Sequence, residues 1–86
     1  MTTFTLPSIH LNGTPRERLL SDYQTAYKLL RAARDAFASI EFNARDYYIQ
    51  GDYAFNQART ERDRARANFE ALNAYLEAHL LHLAVD

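Results

Sequence analysis

His79, His82 and Asp86 follow one another at intervals of three and four, a spacing that on a helix could present two imidazoles and a carboxylate to zinc. Established zinc signatures are longer and denser than this. The duller reading has His79 closing a helical seam and His82 solvated at a fraying helix end. A ferritin-like di-metal centre needs Glu-x-x-His pairs on inward positions, and no glutamate here is followed by a histidine three residues later. Ser8, Ser21 and Ser39 lie in no glycine elbow, and two glycines cannot build a phosphate cradle. The absence of cysteine removes thiolate metal sites and disulfides together. We therefore expect no catalytic residue, no cofactor, no metal and no enzymatic activity.

Arg59, Arg62, Arg64 and Arg66, with Arg31 and Arg34 across from them, could contact phosphates. Glu61, Asp63 and Asp35 are interleaved with that stretch and the formal net charge is -1, whereas a nucleic-acid footprint is a domain-scale basic face. The cluster reads as a solvated, salt-bridge-laced helix surface, and nucleic acid is not an expected partner.

The segment Asn43 to Asp52 concentrates aromatic and arginine side chains at a break between two helical patterns. Arg45, Asp46, Tyr47, Tyr48 and Gln50 are the candidate partner-binding residues there, because such side chains at an exposed turn dominate binding hot spots. An alternative has Tyr47 or Tyr48 folded back over the end of the core, Arg45 paired with Asp46, and Gly51 in a conformation other residues avoid.

Two long elements must position these residues. Thr14-Pro15-Arg16-Glu17 reads as a capping box with Pro15 at the first helical position. From there Leu19, Tyr23, Ala26, Leu30, Ala33, Phe37 and Ile40 alternate spacings of four and three, which places them on one seam. The spacing predicts a helix over 15–42, closed by Asn43 as a left-handed cap. Asp52 is the expected N-cap of a second helix over 53–83, with a seam of Phe55, Ala58, Arg62, Ala65, Phe69, Leu72, Leu76, His79 and Leu83. A short connection makes the helices antiparallel. The expected register sets Ile40 against Phe55, Phe37 against Ala58, Leu30 against Ala65, Ala26 against Phe69, Tyr23 against Leu72 and Leu19 against Leu76. Arg62 would then lay its stem over Ala33 and turn its guanidinium toward Asp35 or Glu61.

The fold class is thus all-α: one domain over 1–86, with an extended arm over 1–13, helix 1 over 14–42, a loop over 43–52 and helix 2 over 53–83. A chain of 86 residues has a marginal core on its own, and Leu20, Tyr27, Leu29, Tyr75 and Leu80 lie outside the two-helix stripe. We expect two covers for them: the arm, with Phe4, Leu6, Ile9 and Leu11 around Pro7, and a second copy completing a four-helix bundle. Tyr27 and Tyr75 form a candidate aromatic binding flank. No charge-free apolar run approaches the roughly 20 residues of a membrane span, and the first residues lack the pattern of a signal peptide, so a cytoplasmic homodimer is expected.

The stretch Ser8-Ile-His-Leu-Asn-Gly-Thr14, a long helix, then Asn43-Ala-Arg-Asp-Tyr-Tyr-Ile-Gln-Gly51 and a second long helix resembles a group of small phage- and prophage-encoded proteins of unassigned role in proteobacteria. The likeness is carried by Arg45, Asp46, Tyr47, Tyr48 and Gly51 and covers nearly the whole chain. It departs at Ala44, where the group would have Gly, and at Ile49, where it would have Pro. The resemblance implies a phage accessory product that binds and alters a host protein, located in the host cytoplasm. A virion-assembly component is the alternative, and a nucleic-acid-binding factor using Arg59 to Arg66 is the third reading.

Overall fold

A computed structural model describes residues 3–84; Asp86, named above as a metal-ligand candidate, lies outside them. The described chain is all-helical: α1 spans Arg16–Ala38, a 3-10 helix spans Ala44–Gln50, and α2 spans Ala54–Ala84. No helix among the described residues is long and apolar enough to cross a membrane.

α1 starts later than the capping box implies. Pro15 is itself the N-cap, extended at φ -59° and ψ 147°, and no side chain caps the helix. Its carbonyl accepts from the amides of Arg18 and Leu19, each at 3.1 Å. Proline holds φ near its helical value in either role, so the same residue reads as N1 or N-cap until the chain before it is placed.

The other end of α1 differs more. Ser39 closes the helix in a right-handed conformation, its amide bonded to Ala36 and Asp35 carbonyls at 3.1 and 3.2 Å, and its hydroxyl donates to the Asp35 carbonyl at 3.0 Å. Asn43 is extended at φ -127° and is the N-cap of the 3-10 helix, not a left-handed cap of α1. The physical reason lies in Phe42. At about 100° per residue, a continued helix would carry it roughly 140° around from Phe37, away from α2. Leaving the helix lets its ring reach Phe55 at 5.3 Å.

This early exit shifts the register. α2 has 31 residues against 23 in α1, and the connection lies back along the first turns of α2 instead of turning tightly. Tyr23 therefore stacks on His79 at 4.8 Å and Phe37 meets Phe69 at 5.3 Å, two to three turns beyond the Leu72 and Ala58 that the short-loop register assigned. Phe55 is covered by Phe42 and Tyr47, not by Ile40. The α1 face is rotated as well. Leu20, Tyr27 and Arg34 are half-buried against α2, while Ala26, Ala33 and Ile40 from the expected seam are exposed.

Burial is sparse. Among the described residues Leu30, Leu76, Leu83 and His79 are buried, and the molecule extends 61 × 24 × 18 Å with a radius of gyration of 18.5 Å, against about 12 Å for a compact chain of this length. The N-terminal arm lies on its own hairpin: Phe4 packs edge-on against Tyr75 at 5.3 Å, and the Pro7 carbonyl accepts from His82 Nε2 at 2.7 Å. Arg16 Nη1 donates to the Leu83 carbonyl at 3.1 Å, filling an acceptor that the last turn of α2 leaves open.

Candidate functional site

The connection between the helices builds an aromatic tip. Asn43 accepts from the Asp46 amide at 3.1 Å to open the 3-10 turn, and Gly51 ends it at φ 117° and ψ 171°, a region open to glycine alone. No atom lies within 4 Å of where a Gly51 Cβ would project, so the glycine is required by backbone conformation and not by crowding. Tyr53, not Asp52, supplies the first carbonyl of α2, accepting from Gln57 at 3.0 Å.

Within the tip the side chains divide. Tyr47 folds inward, its ring 5.8 Å from Phe42 and 6.1 Å from Phe55, and so closes the end of the core. The Arg62 guanidinium sits 4.7 Å from the centroid of Phe42 and 5.5 Å from that of Phe37. It therefore holds two rings by cation–π contact, where the short-loop register had placed it over Ala33. Tyr48, Arg45, Asp46 and Gln50 point outward and are exposed, and among the described residues no ion pair joins Arg45 to Asp46. The outward set also includes Ile49 at 98% exposure and Tyr53 at 82%. Sequence reasoning did not select these two, because their outward display follows from the 3-10 geometry and not from periodicity. A concavity of about 470 Å³ at the tip is bounded by Tyr47, Tyr48, Asp52 and Phe55.

Tyr27 and Tyr75 are not brought together. The Tyr27 hydroxyl donates to Glu77 Oε2 at 3.0 Å and accepts from Arg31 Nη1 at 3.1 Å. Glu77 and Tyr75 are two positions apart on α2, hence about 200° around the helix, so the two tyrosines occupy opposite sides of the hairpin. Tyr75 packs on Phe4 and, at 4.2 Å, on His79. Burial first, and then its hydrogen bond with Tyr75, push the Tyr23 hydroxyl above the usual phenol range.

The two histidines hold the arm and the helix end. His79 is 2% exposed and its Nδ1 donates to the Tyr75 carbonyl at 2.8 Å. His82 is exposed, as expected, and its Nε2 donates to the Pro7 carbonyl. No group of three or more metal-ligating side chains occurs among the described residues. The arginines are likewise dispersed: Arg31 lies over Tyr27, Arg59 over Phe55, Arg62 between two rings, and Arg34 beside Glu70 at 3.8 Å. No family model, curated protein or solved structure matches this chain. What the geometry offers chemically is contact surface: an aromatic tip, and apolar helix sides that the hairpin leaves open.

Proposed function

We propose that this chain acts by binding protein, as a small phage accessory product in the host cytoplasm that self-associates through its helices and engages a host protein with its tip. It has no catalytic role in this reading. The observation that carries the proposal is exposed area. The chain leaves 6902 Å² accessible, whereas a folded chain of 10.0 kDa leaves about 5,200 Å². The difference of about 1,700 Å² falls in the range that obligate homodimers bury per subunit. At the tip, Tyr48, Ile49 and Tyr53 supply large, outward side chains of the kind that anchor interfaces, flanked by Arg45 and Gln50.

The division of the tip defines the test. Tyr48→Ala, Ile49→Ser and Tyr53→Ser together remove outward surface only, so thermal stability should change little while capture of a host protein from lysate is lost. Tyr47→Ala uncaps the core and should destabilise by about 2–4 kcal/mol in urea unfolding. Host-protein capture that survives the triple variant would refute the tip as the binding site.

An assembly component is the second reading, favoured by the rod shape and by exposed apolar residues at both ends, Leu11 beside the start of α1 and Ile49 at the tip. Light scattering that grows with concentration past a dimer would support it, and a mass that stops at two chains would count against it.

A further inference from the structure

We infer that two copies of this chain pair through one defined side of the hairpin, formed by Ala26, Leu29, Ala33 and Ala36 of α1 with Ala65, Phe69 and Leu72 of α2. The inference rests on the self-association proposed above and specifies where it occurs.

The two long sides of the hairpin differ in chemistry. On one, Tyr27 bonds to Glu77 and Arg34 approaches Glu70, so the helices are stitched by polar and charged groups. The opposite side of α1 is reached by stepping from Leu30 to Ala26 and Ala33. At about 100° per residue, Leu29 and Ala36 continue that side. From Thr25 to Ile40 it carries no charge. Leu29 is 63% exposed there, and Ala26, Ala33 and Ala36 are all exposed. On α2 the matching positions Ala65, Asn68, Ala71 and Leu72 are also uncharged, and Leu72 is 47% exposed. Leu30, Ala65, Asn68, Phe69 and Leu72 enclose an open groove of about 260 Å³ between the helices. The N-terminal arm covers this side near Tyr75, His79 and His82 and leaves bare the stretch from Ala65 to Leu72.

A second copy is the occupant for three reasons. An isologous interface needs one patch that is complementary to itself, and this patch alternates projecting leucines with alanines that can receive them. It is uncharged and the chain's net charge is -1, so like-charge repulsion between copies is small. The excess exposed area is of the size a homodimer removes. The result is a two-layer, four-helix bundle with the aromatic tips left free.

Ala33→Arg is the decisive variant. Ala33 touches solvent in the lone hairpin and arginine is a good helix former, so the hairpin tolerates it, whereas the interface cannot bury the new charge. Ala67→Arg on the outward surface of α2 is the control. Sedimentation velocity should give the wild type and Ala67→Arg twice the 10.0 kDa chain mass, and Ala33→Arg should weaken the dimer more than about a hundredfold. Circular dichroism should show wild-type helicity in Ala33→Arg, so that the lost dimer reports on the interface; loss of helicity in Ala33→Arg alone would overturn the premise that this side of the lone hairpin is open. A dimeric Ala33→Arg would overturn this face while leaving self-association intact. A wild type of single-chain mass that binds a hydrophobic dye would overturn the second copy and leave the face to a foreign protein.

Discussion

Tyr23 and His79 show how little of a residue's role depends on its type alone. Both fall on the seams that periodicity picks out, yet their 4.8 Å stack exists only in the shifted register. The raised Tyr23 hydroxyl gives a signed prediction. Folding favours the protonated phenol, so its contribution is complete below about pH 10, the unfolded phenol value, and falls as pH rises through the higher folded value. Tyr23→Phe should therefore lose less stability than the wild type when urea midpoints are compared across about pH 10. Asn73 makes a second case: its Oδ1 is buried without a hydrogen-bond partner among the described residues, and such an atom costs about 1–3 kcal/mol. Asn73→Leu should raise the unfolding free energy by about 1 kcal/mol or more. No sequence pattern marks Asn73, since it sits one position off the expected seam and becomes interior only through the rotation of α1. Ile49 and Tyr53 were equally invisible, because exposure is decided by what fails to cover a side chain.

At the scale of elements, the two long helices were legible and their ends were not. Heptad spacing identifies a helix because every turn repeats the same burial, but a terminus is decided by one residue's best partner. Phe42 leaves α1 for Phe55, and Ser39 bonds back to Asp35 at that exit. The connection was foreseen as a loop that either caps the core or binds. It is a 3-10 helix in which Tyr47 folds back over the end of the core and Tyr48 faces outward, so the capping alternative holds for Tyr47. Gly51 was legible for the reason that its φ of 117° bears out. Gly51→Ala should destabilise by about 1–3 kcal/mol through backbone strain alone, and a crystal structure of the variant should show a rearranged tip. Arg62 was expected on the seam with its stem over Ala33, and the geometry makes it a clamp on Phe37 and Phe42. Arg62→Gln should cost about 1 kcal/mol, measurable as a lower urea midpoint that added salt does not reproduce.

For the molecule as a whole, a 61 Å rod with four buried side chains among its described residues is poorly protected as a monomer. If copies pair as inferred, melting must depend on mass action: raising protein concentration should raise Tm, and the Ala33→Arg variant should abolish that dependence. A Tm independent of concentration in the wild type would contradict the dimer. Two long helices with a break between them follow from the amino-acid order alone, because 3.6-residue periodicity and a glycine-bearing break act locally along the chain. The register, the rotation of α1 and hence which alanines face solvent emerge only when the helices pack. Those depend on where Phe42 and Tyr47 find partners many residues away, and a sliding of two similar seams by two turns leaves the local pattern unchanged.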